Sequence, residues 1–222
     1  MDYTNNFTSI HSQVAELKNL YNQSQPIEII AVSKYQSIEQ IKALHSCGQI
    51  AFGENKVQDF KMKCAALESL RLQWHFIGTL QENKINALIA LKPTLLHSLD
   101  SLKLAYALQK RLESKGKEMS ALLQLNTSFE QSKSGVYPDD AIALYKKILF
   151  ECKNIKLQGI MTIGANTSER KKVKQSFSIA KEIFDTLKSD GAQTLSMGMS
   201  RDFDVAIECG ANMLRIGSKF FA

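Results

Sequence analysis

A short apolar run followed by a stretch with helical spacing recurs along the chain, and no other feature restricts the possible folds as tightly. The runs are Ile27 to Val32, Ile50 to Gly53, Gln73 to Gly78, Leu95 to Leu99, Met119 to Asn126, Ile155 to Ile163, Thr194 to Met197 and Asn212 to Ile216. Each has the length and apolar content of a buried strand. Between them, apolar residues recur at steps of three and four: Ile38, Ile41 and Leu44; Val57, Phe60, Cys64 and Leu67; Leu102, Ala105, Leu108 and Leu112; Val173, Phe177, Ala180, Phe184 and Leu187. Local punctuation agrees with that division. Ser37 with Gln40 forms a capping box, Gly48 supplies a helix stop, Asn55 is placed to cap a helix, and Pro138 suits a first helical turn. Phe7, Ile10, Val14, Leu17 and Tyr21 predict one further helix within residues 1–25, packed on the body. Strands that alternate with helices run parallel, because each helix carries the chain back to the starting edge. Eight such units in about 190 residues predict a single closed (β/α)8 TIM barrel with an extra N-terminal helix; an open doubly wound sheet is the alternative.

Length and composition keep this to one domain, residues 1–222. With 44% hydrophobic residues the chain can bury one sizeable core, and neither a Gly-rich linker nor a low-complexity tract divides it. Met1 is followed by DYTNN, with no charged-then-apolar leader, and no apolar run approaches the roughly 18 residues of a membrane span. A cytoplasmic protein without membrane attachment is expected. Cys47, Cys64, Cys152 and Cys209 lie far apart without a C-x-x-C, as suits reduced interior thiols. The formal charge is +6, and Arg170, Lys171, Lys172 and Lys174 form a basic run. Lacking interleaved aromatics or a reading motif, that run predicts a solvated helix face and no nucleic-acid partner. The excess charge suits a small anionic ligand.

In a barrel, function gathers where strands end at their C-terminal mouth, often with phosphate held after strands 7 and 8. Lys34 ends the first strand. A lysine there either closes the strand at the surface or, if partly desolvated, becomes a nucleophilic amine able to form a Schiff base. Gly198 and Ser200 follow the seventh strand, where glycine lets backbone approach a ligand and a serine at a helix N-cap offers a hydroxyl beside free N–H groups. Arg215 lies inside the eighth strand, followed by Gly217 and Ser218. Buried, it needs a partner: a phosphate, or a carboxylate such as Glu54 or Asp204. Strands 1 and 8 are neighbours in a closed barrel, so amine and anion sites would face one mouth. Glu54 and Asn55 end the second strand, while His75 and His97 read as core histidines. No histidine pair has metal-ligand spacing on a helix, and neither G-x-S-x-G nor a P-loop occurs.

Taken together, AVSK (31–34), FGEN (52–55), WHFIGTLQENK (74–84), HSLD (97–100), QLNTS (124–128), MGMS (197–200) and RIGS (215–218) resemble the pyridoxal phosphate homeostasis proteins. The resemblance runs from about Ile27 to the end. It implies a single barrel like the N-terminal domain of alanine racemase, with pyridoxal 5′-phosphate (PLP) held as a covalent aldimine on Lys34. Asn55, Gly198, Ser200, Arg215, Gly217 and Ser218 are then the further cofactor-binding residues, the last four of these forming the phosphate cradle. Departures from the pattern are Thr79, Ser218 where threonine is common, Ala222, and Arg201, which adds charge beside the site.

The same resemblance implies a carrier or regulator of vitamin B6 rather than an enzyme. It would hold reactive PLP, limit its free level and hand it to PLP-dependent apoenzymes, as a monomer. Racemisation needs two bases, and racemases that this chain resembles take the second from a β domain of a partner subunit. A weak PLP-dependent amino acid racemase is the runner-up, and a Schiff-base lyase acting on a phosphorylated sugar is a third reading.

Overall fold

A computed structural model describes residues 2–222 as an eight-stranded closed barrel in which every strand is parallel to its neighbours. The strands are β1 (Glu28–Val32), β2 (Ala51–Glu54), β3 (Gln73–Phe76), β4 (Leu95–Leu99), β5 (Met119–Leu125), β6 (Ile155–Thr162), β7 (Thr194–Ser196) and β8 (Met213–Ile216). They follow chain order around the barrel, and β1 closes it against β8, with Ala31 opposite Ile216. The open-sheet alternative is thereby excluded. The register slips between Leu96 and Leu99 against β5 and between Ala121 and Leu122 against β6. Gly159 stands at the second slip with φ of +148°, and a Cβ there would fall 2.0 Å from the Thr194 carbonyl oxygen, so only glycine lets β6 and β7 approach.

The helices lie outside: α1 (Tyr3–Leu20), α2 (Ile38–Ser46), α3 (Val57–Ala66), α4 (Ile85–Leu91), α5 (Leu102–Glu113), α6 (Pro138–Glu151), α7 (Arg170–Leu187), α8 (Phe203–Glu208) and α9 (Ser218–Phe221). The Ser37–Gln40 capping box closes in both directions and Pro138 occupies the first turn of α6. On α7 the whole stripe Val173, Phe177, Ala180, Phe184 and Leu187 is buried. Burial divides into two layers. One large cluster fills the space between strands and helices, while Ile30, Ala51, Leu95, Leu122, Met161 and Met213 form a separate cluster inside the barrel. Strand alternation enforces that split, since successive side chains point to opposite faces.

Helix α1 buries Ile10 and Val14 and packs on α9, where the Asn6 side-chain amide donates to the carbonyls of Phe220 and Ala222. It thus braces the segment just after β8. The basic run of α7 lies on an exposed face. Arg170 pairs with Asp204 and Glu208, Lys172 with Glu169, and Lys174 with Glu208, so most of its charge is answered locally. Among the cysteines only Cys152 is fully buried; the other three are half-buried. No described helix is long and apolar enough to cross a membrane.

Candidate functional site

The inward row of β1 contains Ile30, and alternation carries it through Val32 to Lys34 at the mouth. The Gln36 N–H donates to the Ser33 carbonyl, closing a tight turn with Tyr35 at φ 69°. Lys34 is exposed rather than partly desolvated, because the turn lifts it clear of the apolar strand. Both Lys34 Nζ and Lys56 Nζ lie just under 6 Å from the Tyr35 ring, at 5.9 and 5.8 Å.

Beneath that turn is a buried clamp. Glu54 and Lys63 are both almost wholly enclosed, with Nζ to Oε1 at 2.6 Å. The same Glu54 oxygen accepts from Ser33 Oγ at 2.7 Å, and Lys63 also donates to the Ser33 carbonyl at 2.8 Å. Ser33 is therefore held at both its hydroxyl and its carbonyl, one residue before Lys34. Burial first, and the Glu54 charge second, push the half-buried Cys64 thiol up to about 12, so it stays protonated and unreactive.

Asn55 does not cap α3. Lys56 occupies that position, without a side-chain cap, because the chain leaves β2 extended for one residue more. The Asn55 Oδ1 is buried with no hydrogen-bond partner, on the same row as Ala51 and Gly53 at the mouth. A buried amide oxygen without a donor is an open coordination position for a ligand or a nearby ammonium.

On the other side of β1, Gly198 turns the chain at φ +92°, and a Cβ there would lie 2.5 Å from that of Ala206. Ser200 is not the N-cap of α8; Asp202 is, and its Oδ1 accepts instead from the Met199 N–H at 2.6 Å. The Ser200 hydroxyl is free to turn toward β8, where it accepts the Gly217 N–H at 3.2 Å. Ser218 follows, exposed at the start of α9.

Arg215 is 5% exposed and pairs with neither Glu54 nor Asp204, which are committed to Lys63 and Arg170. Its guanidinium crosses to β7 and β6, donating to Ser196 Oγ at 2.6 Å and to the Thr162 carbonyl at 2.9 Å. Burial lowers its pKa to about 10, with the Asp202 charge opposing, so it remains a cation at neutral pH. Asp202 itself is held above the usual carboxylate range by burial. These bonds use one donor on each terminal nitrogen of the fork.

Below Arg215, His97 and His75 are buried and bonded to each other, Nδ1 of His75 to Nε2 of His97, at 3.0 Å. Burial lowers His75 to about 4 and His97 well below 6.5, so both rings are neutral at pH 7. Unfolded, each would bind a proton below 6.5 that the folded chain refuses, so stability falls as pH drops from 6.5 toward 4. For His75 alone the loss is about 3 kcal/mol at 1.36 kcal/mol per unit. Urea denaturation at pH 7 and pH 4.5 should register it, and the fall should shrink in His75→Gln; an equal fall in both proteins would assign the effect to other groups.

The mouth thus brings together Lys34, Asn55, Ser200, Gly217 and Ser218 with Arg215 beneath them. Sequence reasoning did not find Ser33, Lys63, Thr162 or Ser196. Lys63 carried a usable signal: it stands three residues after Phe60 and four before Leu67, on the apolar stripe of its helix. Thr162 acts through its backbone carbonyl and carried none.

A family model described as the alanine racemase N-terminal domain matches residues 6–221. A Helicobacter pylori protein named pyridoxal phosphate homeostasis protein is 51% identical over 221 residues, covering 100% of this chain and 99% of that one. Among solved structures, a protein from Bifidobacterium adolescentis superposes with a TM-score of 0.93 at 30% identity, over 99% of this chain and 94% of that one. PipY of Synechococcus elongatus, solved with PLP bound, gives 0.80 at 29% identity, over 94% of this chain and 100% of that one.

Proposed function

The chain belongs to the family of pyridoxal phosphate homeostasis proteins, within the alanine racemase N-terminal domain fold, and on that premise we propose that it binds PLP reversibly and buffers its free level. The observation that carries this reading is the adjacency of an amine and an anion cradle. Lys34 ends β1, Gly217 and Ser218 follow β8, and these two strands are paired through Ile216. The relatives' name and the PLP-bound PipY structure support the choice of ligand.

PLP supplies an aldehyde that condenses with a primary amine and an aromatic ring that stabilises charge in that adduct. Lys34 is the amine on this reading. Asn55 Oδ1, buried and without a donor, holds a polar group at the mouth beside it. The hydroxyls of Ser200 and Ser218 receive the phosphate; Ser200, which accepts the Gly217 N–H, keeps its own hydrogen to donate, and Gly198 sets the turn that aims it. Arg215 reaches away from this cradle toward β6, so its charge acts from the floor of the mouth and not among the loop donors. Exposure of Lys34 suits reversible loading and transfer to PLP-dependent apoenzymes, since water and a partner both reach the linkage.

On the same reading the protein is a monomeric cytoplasmic carrier, one cofactor-binding unit over residues 1–222, with no catalytic role. A racemase would need a second base aimed into the mouth. The mouth tyrosine beside Lys34, Tyr35, is 76% exposed and turned to solvent, while His75 and His97 lie neutral in the barrel interior.

The test is a visible spectrum of the purified protein with added PLP, followed by borohydride reduction and peptide mapping. An absorption band that reduction fixes as a pyridoxyl group on Lys34 is expected. Absence of any band at saturating PLP overturns the assignment. Incubation of the loaded protein with L-alanine should leave its chirality unchanged; inversion would restore the racemase reading.

A further inference from the structure

A polar chain runs through the barrel interior from Arg215 near the mouth to Glu28 at the opposite end. Its links are Arg215 Nη1 to Ser196 Oγ at 2.6 Å, Ser196 Oγ to His97 Nδ1 at 3.3 Å, and His97 Nε2 to His75 Nδ1 at 3.0 Å. His75 Nε2 then faces Glu28 Oε1 at 3.7 Å and has no hydrogen-bond partner of its own. The chain spans β8, β7, β4, β3 and β1, so five of the eight strands contribute one member each.

Every hydrogen in this chain has a determined place. Arginine has donors only, so Ser196 Oγ accepts from Arg215 and must give its own hydrogen elsewhere. The acceptor within reach is His97 Nδ1. A neutral His97 that accepts at Nδ1 carries its hydrogen on Nε2, and there it donates to His75 Nδ1. By the same step the hydrogen of His75 sits on Nε2, aimed at the Glu28 carboxylate. Burial keeps both rings neutral, which fixes one tautomer for each. All the bonds point the same way, out of the guanidinium and toward the carboxylate.

From this geometry we propose that His97 and His75 are positioning residues: through Ser196 they hold the Arg215 guanidinium in one orientation beneath the mouth. The second anchor, the Thr162 carbonyl on the other terminal nitrogen, fixes the plane of the fork. Without His97 the Ser196 hydroxyl loses the acceptor that sets its rotamer, and one of the two anchors on Arg215 loosens. Bonds in such a chain polarise one another, so the effect of removing a distant member exceeds that of one isolated bond. The orientation of Arg215 does not depend on what binds above it; only its consequence for affinity rests on the PLP reading.

The experiment uses the full chain without cofactor, labelled with nitrogen-15. Long-range proton–nitrogen correlation is expected to report the Nε2–H tautomer for both His75 and His97, with no titration between pH 5 and 8. The terminal nitrogens of Arg215 should give separate, slowly exchanging signals. In His97→Phe those signals should collapse, and in His97→Gln, which keeps a donor and an acceptor, they should remain resolved. An Nδ1–H tautomer in either ring, or Arg215 signals unchanged in His97→Phe, overturns the proposal. PLP affinity is the second readout. It should fall about tenfold in His97→Phe, the size of a lost hydrogen bond to a charged group, and recover in His97→Gln. Wild-type protein that fails to bind PLP would refute the carrier reading and leave the tautomer and arginine signals to decide this one.

Discussion

Replacing Lys63 by alanine is expected to remove about 3–5 kcal/mol of folding stability, the size seen when one partner of a buried ion pair is deleted. The reason lies in what Glu54 would be left with. Its carboxylate is fully buried, Oε2 already has no partner, and Oε1 would retain only the Ser33 hydroxyl. A carboxylate stranded there must either stay charged without a counter-ion or take up a proton, and both oppose folding. Chemical denaturation at pH 7 measures the loss directly. The paired change Lys63→Met with Glu54→Leu should recover most of it, because apolar residues of similar volume remove both charges at once. A single variant that unfolds at the wild-type midpoint would mean that water or a neighbouring group already compensates the carboxylate. Ser33 should loosen as well in Lys63→Ala, since both its hydroxyl and its carbonyl are held by this pair, and Lys34 follows it directly.

That clamp marks the boundary of what the sequence made legible. The barrel itself could be read from periodicity, because each strand and helix declares its own buried face by spacing, and parallel strands joined by helices leave few topologies. Lys34, Gly198 and Gly217 were legible for a related reason: their positions follow from which strand they end. What could not be read is how polar side chains pair across strands distant in sequence. For Arg215 a phosphate and a carboxylate such as Glu54 or Asp204 stood as alternatives, and it takes neither carboxylate, because Lys63 and Arg170 reach them first. Ser200 looked like a helix cap by residue type. The helix begins at Phe203 instead, so its hydroxyl bonds across to β8. Of the two readings open for Lys34, a surface lysine closing the strand and a partly desolvated amine, the turn decides for exposure: with Tyr35 at positive φ, the chain rises out of the barrel before the lysine is enclosed. Residue type states what a side chain can pair with, and three-dimensional competition decides which pairing it gets.

Competition between lysines also determines the most informative substitution at the mouth. Lys34→Arg is expected to abolish the borohydride-fixable attachment completely, because a guanidinium stays protonated and cannot attack an aldehyde. Charge at the mouth is preserved, so this variant separates the covalent contribution from the electrostatic one in a way alanine does not. Pyridoxamine phosphate, which carries the same phosphate but no aldehyde, reports the non-covalent part alone. Its affinity should agree within about threefold between wild type and Lys34→Arg, whereas PLP should bind the wild type about a hundredfold tighter than the variant. Lys56 makes the outcome discriminating. Its ammonium lies as close to the Tyr35 ring as that of Lys34, at the same exposed rim. Were the amine chosen by proximity to the mouth alone, reduction of the variant would leave a pyridoxyl group on Lys56, and the linkage could not be assigned to Lys34. Position argues otherwise: Lys34 stands just past the end of β1 at the same parity as the inward residue Ile30, while Lys56 stands one residue past Asn55, off the inward row of β2. On the proposed reading, that parity, more than exposure or charge, favours Lys34 over Lys56 as the amine that meets the aldehyde.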